Sequence, residues 1–210
     1  MERIKWLFRL VKRQGVESRN VLSVYREHGV IEKSSRVDNY NKTPEDLSLY
    51  QLVNVDDLVI NKMKAWQGSL GISGHKGVTS PDYVVYEPLH KECSRFIHHL
   101  LRSHNMPKVY GAISNGVRPS QWRLEASDFE NIWLPLPPFS EQQQIVAEVE
   151  SVLREIDALR TEAEQAVPIF QERRSALVSA AVTGKIDVRD WQPPSSEAFP
   201  EVAASEGATA

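Results

Sequence analysis

The chain has 210 residues, with 25 Lys+Arg, 28 Asp+Glu and a single cysteine, Cys93. That length suits one well-filled core with an appendage, or two small domains. One cysteine excludes an internal disulfide framework and fits a cytoplasmic setting, and no apolar run approaches the roughly 20 residues of a membrane span. The first ten residues intersperse charges among apolar side chains, which is not a signal-peptide pattern. The net charge of −3 hides an asymmetry: residues 1–139 carry 19 Lys+Arg against 15 Asp+Glu, whereas residues 140–210 carry 6 against 13. The first part is therefore the one suited to a polyanion.

In chain order, residues 1–20 read as a short amphipathic segment and a polar turn. Val21–Tyr25 reads as a strand closed by a turn at His28-Gly29. Residues 32–50 are a polar connection, with one helical turn predicted after Thr43 because Pro44 suits a first helical position. Tyr50–Val53 and Asp57–Ile60 read as strands, and His75-Lys76-Gly77 as a basic turn. Val78–Tyr86 is a further predicted strand. Lys91–His104 places Cys93, Phe96, Ile97, Leu100 and Leu101 on one helical face, with Pro107 ending it. Val109–Ile113, Trp122–Leu124 and Ile132–Leu136 are predicted strands, with a polar turn at Ser127-Asp128. This is an α+β pattern with many non-local strand pairs.

Pro135-Leu-Pro-Pro-Phe-Ser-Glu-Gln-Gln-Gln-Ile145 marks the change to a long helix. Ser140 is placed to cap it and Gln143 to complete a capping box. Ile145, Val149, Val152, Ile156, Leu159, Ala163 and Ala166 step by four and three, a heptad seam that needs a partner. The helix is predicted over about 141–167, roughly 40 Å. Pro168 is expected to kink or interrupt it, and a second stretch with Phe170, Arg174, Leu177 and Ala181 stops at Thr183-Gly184. The chain from Gln192 onward is poor in large apolar groups and is expected to be disordered. The division is thus 1–139 globular, 140–186 helical and 187–210 tail.

These residues resemble a known family. Leu58-Val-Ile-Asn-Lys-Met-Lys-Ala-Trp-Gln-Gly-Ser-Leu-Gly71 and Ser80-Pro-Asp-Tyr-Val84 resemble the target recognition domain of type I restriction–modification specificity subunits. Pro135–Ile145, the heptad helix and Arg173–Ile186 resemble the conserved helical region that follows such a domain. The resemblance implies a mixed α/β recognition domain followed by a long coiled-coil region. It also implies a non-catalytic subunit that reads double-stranded DNA and binds methyltransferase and restriction subunits. The family carries two recognition domains and two helical regions, and its target is bipartite. This sequence has one of each, a half-subunit or a fragment. The orphan seam then predicts a second copy as partner through Ile145, Val149, Val152, Ile156, Leu159, Ala163, Phe170 and Leu177.

Candidate DNA-binding residues follow from side-chain chemistry. Lys62 and Lys64 suit phosphates, and Gln67 has the amide geometry that pairs with adenine. Their alternative is a solvated edge, with Met63 and Trp66 in the core. His75 and Lys76 sit on a glycine-flanked turn. Asn115, Arg118, Ser120 and Gln121 form a donor-rich loop, whose Asn-Gly also serves a plain turn. Arg13, Arg19, Lys33 and Arg36 are further candidates for the same basic face.

No cofactor or metal is expected. Leu136-Pro-Pro-Phe139 lacks the polar residue of the amino-methyltransferase motif, and no glycine-rich phosphate loop is present. Pro81-Asp82 lacks the further residues of a nuclease site. His99 and His104 are five apart and do not share a helix face. Glu148, Glu150, Glu155, Glu162 and Glu164 read as solvated flanks of the helix. The competing reading is a coiled-coil protein–protein adaptor that no longer reads DNA.

Overall fold

The computed structural model describes residues 1–15, 20–35, 43, 44, 46–118, 121–189 and 192. It divides into two units, Met1–Ser151 and Val152–Ala210. The frame of the first unit is an antiparallel sheet of four strands. Their order is β2 (Phe8–Val11), β9 (Tyr83–Pro88), β6 (Leu58–Asn61) and β7 (Leu70–Ile72). Three smaller pairs surround it: β1 (Glu2–Arg3) with β10 (Trp133–Leu134), β3 (Leu22–Tyr25) with β4 (Gly29–Glu32), and β5 (Gln51–Val53) with β8 (Gly77–Thr79).

The strand period of two explains why the central run is apolar at every position. Leu58 and Ile60 of β6 face a cluster with Phe8, Tyr86, Phe96, Ile97, Leu101 and Tyr110. Val59 between them faces the opposite way, into a second cluster with Leu22, Val24, Val30, Val53 and Val85. Helices therefore cover one face of the sheet and the β3–β4 and β5–β8 pairs cover the other. A register slip of one residue would exchange the two sets of side chains, so the pairing is strongly specified.

The first cluster is closed by α1 (Ile4–Leu7), α2 (Ser94–Leu101), α3 (Met106–Ile113) and α4 (Ala126–Glu130). Several of these depart from the sequence reading. Val109–Ile113 is not a strand but the second half of α3. Pro107 does not end the preceding helix, which stops at Leu101, but occupies the first turn of α3, where its missing N–H has no intrahelical partner to lose. Ser127-Asp128 lies inside α4 rather than in a turn. Residues 78–86 form two strands separated at Ser80–Asp82, and 122–124 contribute one isolated bridge, Asn115 with Arg123. Thr43 and Pro44 are not helical, and Glu45 lies outside the described residues.

His98 of α2 is packed against the sheet. Its Nδ1 lies 3.2 Å from the Ile72 amide nitrogen, and the ring sits so close that a Cβ on Gly71 would lie 3.1 Å from Cε1, a tight contact. Burial, reinforced by the nearby Arg102, His99 and Arg95, holds the imidazole down to about 4. Its protonation is thus easier in the unfolded chain. Stability is expected to fall as pH drops from about 6.5 to 4, by up to about 1.4 kcal/mol per pH unit. Urea midpoints measured across that window check this, and a His98→Asn variant should lose the part of the slope that His98 contributes, leaving that of His90 and His99, whose imidazoles burial also holds below their ordinary value.

The long helix α5 (Phe139–Val182) is a single element of 44 residues with Pro168 inside it. The expected interruption does not occur, although proline costs about 3 kcal/mol in a helix interior and removes one backbone bond. The helix begins at Phe139, so Ser140 is its second residue rather than its cap, and Gln143 is exposed. The residue that secures this end is Gln142, which is fully buried. Its Oε1 accepts the Cys93 N–H at 3.0 Å, and its Nε2 donates to the Pro137 carbonyl at 2.9 Å and to Glu92. Glu150, expected on a solvated flank, accepts from Arg95 Nε at 2.7 Å.

The predicted stop is present. Gly184 adopts a φ of +72°, the Lys185 N–H reaches the Ala180 carbonyl at 2.8 Å, and Gly184 N–H reaches that of Ala181 at 3.2 Å. These are the two bonds of a Schellman motif. Of the expected tail, residues 190, 191 and 193–210 lie outside the described residues.

Candidate nucleic-acid interface

Two loops carry most of the predicted DNA-facing residues. The first joins β6 to β7 and holds Lys62, Lys64 and Gln67. It is closed on itself: Lys64 N–H bonds the Asn61 carbonyl at 2.9 Å, Gln67 N–H that of Lys64 at 3.0 Å, and Gly68 N–H that of Ala65 at 2.7 Å. Gly68 has a φ of +90°, which a side chain would oppose. Ala65 is fully buried beneath the loop.

The second loop holds Asn115, Arg118 and Gln121. The main chains of Asn115 and Arg123 exchange two bonds of 2.9 Å across its base. Its interior is so close that a Cβ on Gly116 would lie 2.7 Å from the Gln121 carbonyl oxygen. Pro119 and Ser120 lie outside the described residues.

The structure fastens these loops together. Leu124 N–H donates to the Lys62 carbonyl at 3.0 Å, Arg123 Nε approaches Met63 Sδ at 3.1 Å, and Trp66 meets Trp122 edge-on at 5.4 Å. Trp66 is half-buried in that contact, and its indole N–H bonds the Met63 carbonyl at 3.2 Å. Lys64, Arg118, Asn115 and Gln121 are exposed, and Lys62 and Gln67 are partly so.

His75 and Lys76 are placed elsewhere, on the turn between β7 and β8. The Lys76 carbonyl accepts from Asn20 Nδ2 at 3.0 Å, and His75 Nδ1 lies 3.9 Å from Glu32 Oε1. Glu32 pairs with Leu22 at the open end of the β3–β4 hairpin, opposite its tip, and Asn20 lies two residues before Leu22.

A groove of about 580 Å³ runs along β3 and brings Lys64 and Gln67 beside Asn61, Tyr25, Arg26 and Lys33. Tyr50, Tyr83 and Asp82 line it as well. Burial, the carboxylate of Asp82 and neighbouring tyrosines raise the Tyr83 hydroxyl above its ordinary range, so it stays a donor at neutral pH. Lys33 also donates to Thr43 at 2.9 Å. The groove thus gathers ammonium and guanidinium groups, amides and phenols beside the carboxylates of Glu27 and Asp82; the first three are side-chain types that can meet phosphates and base edges.

Among the earlier candidates for the basic face, Arg13 does not qualify. Its guanidinium is engaged by Asp57 at 2.6 Å and Glu87 at 2.5 Å. Arg19 and Arg36 lie outside the described residues. The sequence reading did not single out Tyr25, Arg26, Tyr50 or Tyr83. A charged tip, Tyr25-Arg-Glu-His28, just before a glycine was the available signal for the first two.

No group of three or more metal-ligating side chains occurs among the described residues. No described helix is long and apolar enough to cross a membrane. The eight seam positions differ in their surroundings. Ile145 packs against the globular core and Val149 is half-buried. Val152, Ile156, Leu159, Ala163, Phe170 and Leu177 are exposed, Leu159 and Phe170 by about two thirds.

The family of type I restriction modification DNA specificity domains matches residues 18–167, and the chain belongs to it. Among known proteins it is similar to the EcoKI type I restriction enzyme specificity subunit of Escherichia coli K12. The two are 24% identical over 148 residues, covering 65% of this chain and 30% of the relative. The EcoBI specificity subunit of Escherichia coli is 31% identical over 88 residues, covering 41% and 19%.

Two solved structures share the fold. One is a chain from a study of complex assembly and conformational transition in the type I R-M system, with TM-score 0.56 and 17% identity. The other is the HsdS subunit of Thermoanaerobacter tengcongensis, with TM-score 0.54 and 16% identity. Each covers 92% of this chain, which spans 51% of the solved chain.

Proposed function

We propose that this chain is a non-catalytic reader of double-stranded DNA that recognises one half of a bipartite target. It recruits methyltransferase subunits, and with them a restriction subunit, and pairs with a second copy of itself through α5. The observation that carries the reading is the fastening of the 61–69 and 114–123 loops to each other and to a sheet buried on both faces. A backbone held that firmly loses little freedom when its side chains meet base edges. Membership of the specificity family supports the same conclusion, and the exposed apolar seam from Val152 to Leu177 supports the pairing. The lone cysteine supports a reducing, cytoplasmic location.

The purified chain is expected to methylate and cleave nothing. Combined with its cognate methyltransferase subunit, it should direct adenine methylation to one sequence. Methyl transfer by the chain alone would overturn the assignment. No DNA binding at any salt, even with the partner, would leave only an adaptor.

Residue roles have their own test. Lys64→Ala should weaken binding to all duplexes alike and lower the slope of log affinity against log salt by about 1. Gln67→Ala should instead relax preference at one base pair, by about 1–3 kcal/mol of discrimination. Selection from a randomised duplex pool separates the two outcomes.

A further inference from the structure

Beside the main groove lies a second one of about 360 Å³, lined by Arg26, Gln67, Gly68, Arg102, His104, Pro107 and Lys108. It contains no carboxylate, in contrast to its neighbour, which has Glu27 and Asp82. The two grooves share Arg26 and Gln67 in their linings, so they adjoin at the tip of the β3–β4 hairpin. Arg26, His104 and Lys108 are exposed.

Arg102 is of a different kind. Among the described residues its guanidinium makes no ion pair, and it gives its donors to the main chain. Nη1 reaches the Leu70 carbonyl at 2.9 Å and that of Tyr25 at 3.4 Å, and Nη2 reaches those of Arg26 and Glu27 at 2.8 and 2.9 Å. It therefore ties the hairpin tip to β7, the strand that follows the Lys64–Gln67 loop. Two surfaces that are about 40 residues apart in sequence are fixed in one register by this planar fork, a geometry that lysine cannot supply.

We infer that this second groove seats a phosphate of the DNA backbone beside the base-reading loop. Arg26 and Lys108 are its contact residues, and Arg102 is the positioning residue that holds the hairpin tip in place. The inference rests on the DNA-reading function and adds a site to it. The charged side chains of its lining, Arg26, Arg102 and Lys108, are all cationic, which favours an anion, and adjacency to the groove that also holds Gln67 favours a phosphate of the duplex that groove is proposed to read. Phosphate contacts fix where along the duplex the reader sits and carry no sequence information of their own.

The test uses the full chain with its methyltransferase subunit and a 40-base-pair randomised duplex, with affinity measured across a salt series. The Arg26→Ala/Lys108→Ala double variant is expected to lower the salt slope by about 2 and affinity by roughly tenfold to hundredfold. The selected base preference should not change. Arg26→Glu should lose more. Arg102→Lys keeps the charge but not the fork, and should weaken binding several-fold and blur the base preference, because the tip next to Gln67 is no longer held. Lys91→Ala, exposed and outside both grooves, should behave as wild type. Thermal unfolding checks that every variant is folded.

If wild type shows a steep salt slope and the double variant shares it, the phosphate seat is overturned while the DNA-reading function stands. If wild type binds no duplex, both fall. If Arg102→Lys matches wild type in affinity and preference, its positioning role is overturned.

Discussion

Replacing Arg13 with leucine is expected to destabilise the protein by about 3–5 kcal/mol, because it leaves Asp57 charged and buried without its partner. The Asp57 side chain is only 2% exposed, and its Oδ2 accepts both Arg13 Nη1 at 2.6 Å and the Asn54 N–H at 2.8 Å. Burial raises the Asp57 carboxyl above its ordinary range, and the Asn54 and Arg13 donors pull it back. Arg13 also holds Glu87, which Arg9 grips from the other side, so the cluster links the 12–15 segment to β9. Arg13 is itself about a quarter exposed, which favours the lower end of the range.

Denaturant midpoints at neutral pH measure the loss. A folded-state carboxyl raised above its unfolded value is more stable below the unfolded value and loses that stability as pH rises. The deficit of Arg13→Leu should therefore shrink as the pH approaches roughly 4. Adding Asp57→Asn to the variant should recover part of the loss. A deficit under about 1 kcal/mol would mean that water reaches the carboxylate and that the cluster is a surface feature.

Replacing Gln142 with leucine is expected to cost about 3–4 kcal/mol, for a different reason. Gln142 is the buried residue of α5. Its amide answers the Cys93 N–H, the Pro137 carbonyl and the Glu92 carboxylate. Leucine fills the space but strands all three partly buried groups, and an unanswered group costs about 1–3 kcal/mol when buried and less where water reaches it. Gln142→Glu should also destabilise, since it still accepts from Cys93 but sets a second carboxylate against Glu92. Amide exchange at Cys93 is the local readout, and it should accelerate in both variants. A leucine variant with wild-type stability and protection would show that the helix start is held by apolar contacts of Ile145 and Val146 alone.

The two cases show which parts of the fold could be read from residues. Val21–Tyr25, Tyr50–Val53 and Asp57–Ile60 were legible as strands because β-branched runs bounded by turn residues carry their own signal. The long helix was legible from its heptads, and its end from Thr183-Gly184. Val109–Ile113 was not, because a short apolar run is compatible with either period and only the packing of Tyr110 under α2 decides it. The start of α5 was placed two residues late, since Ser140 is a good cap by type but Gln142 is held by a partner 49 residues away. The candidate site was half legible for the same reason. Lys64, Gln67 and Arg118 announce themselves by chemistry, but Arg26 joins them only through Arg102, whose bonds to the hairpin tip span about 76 residues.

The sheet that is covered on both sides separates two jobs within one chain. Its strands answer to two cores at once and tolerate little change. The loops at Asn61–Ser69 and 114–123 hang from it by main-chain bonds, which do not depend on which side chains the exposed positions carry. On the DNA-reading function proposed above, new preferences would be written at positions such as 64, 67, 118 and 121 while the framework beneath stays as it is. That is the architecture of a typeface with interchangeable letters on a fixed block.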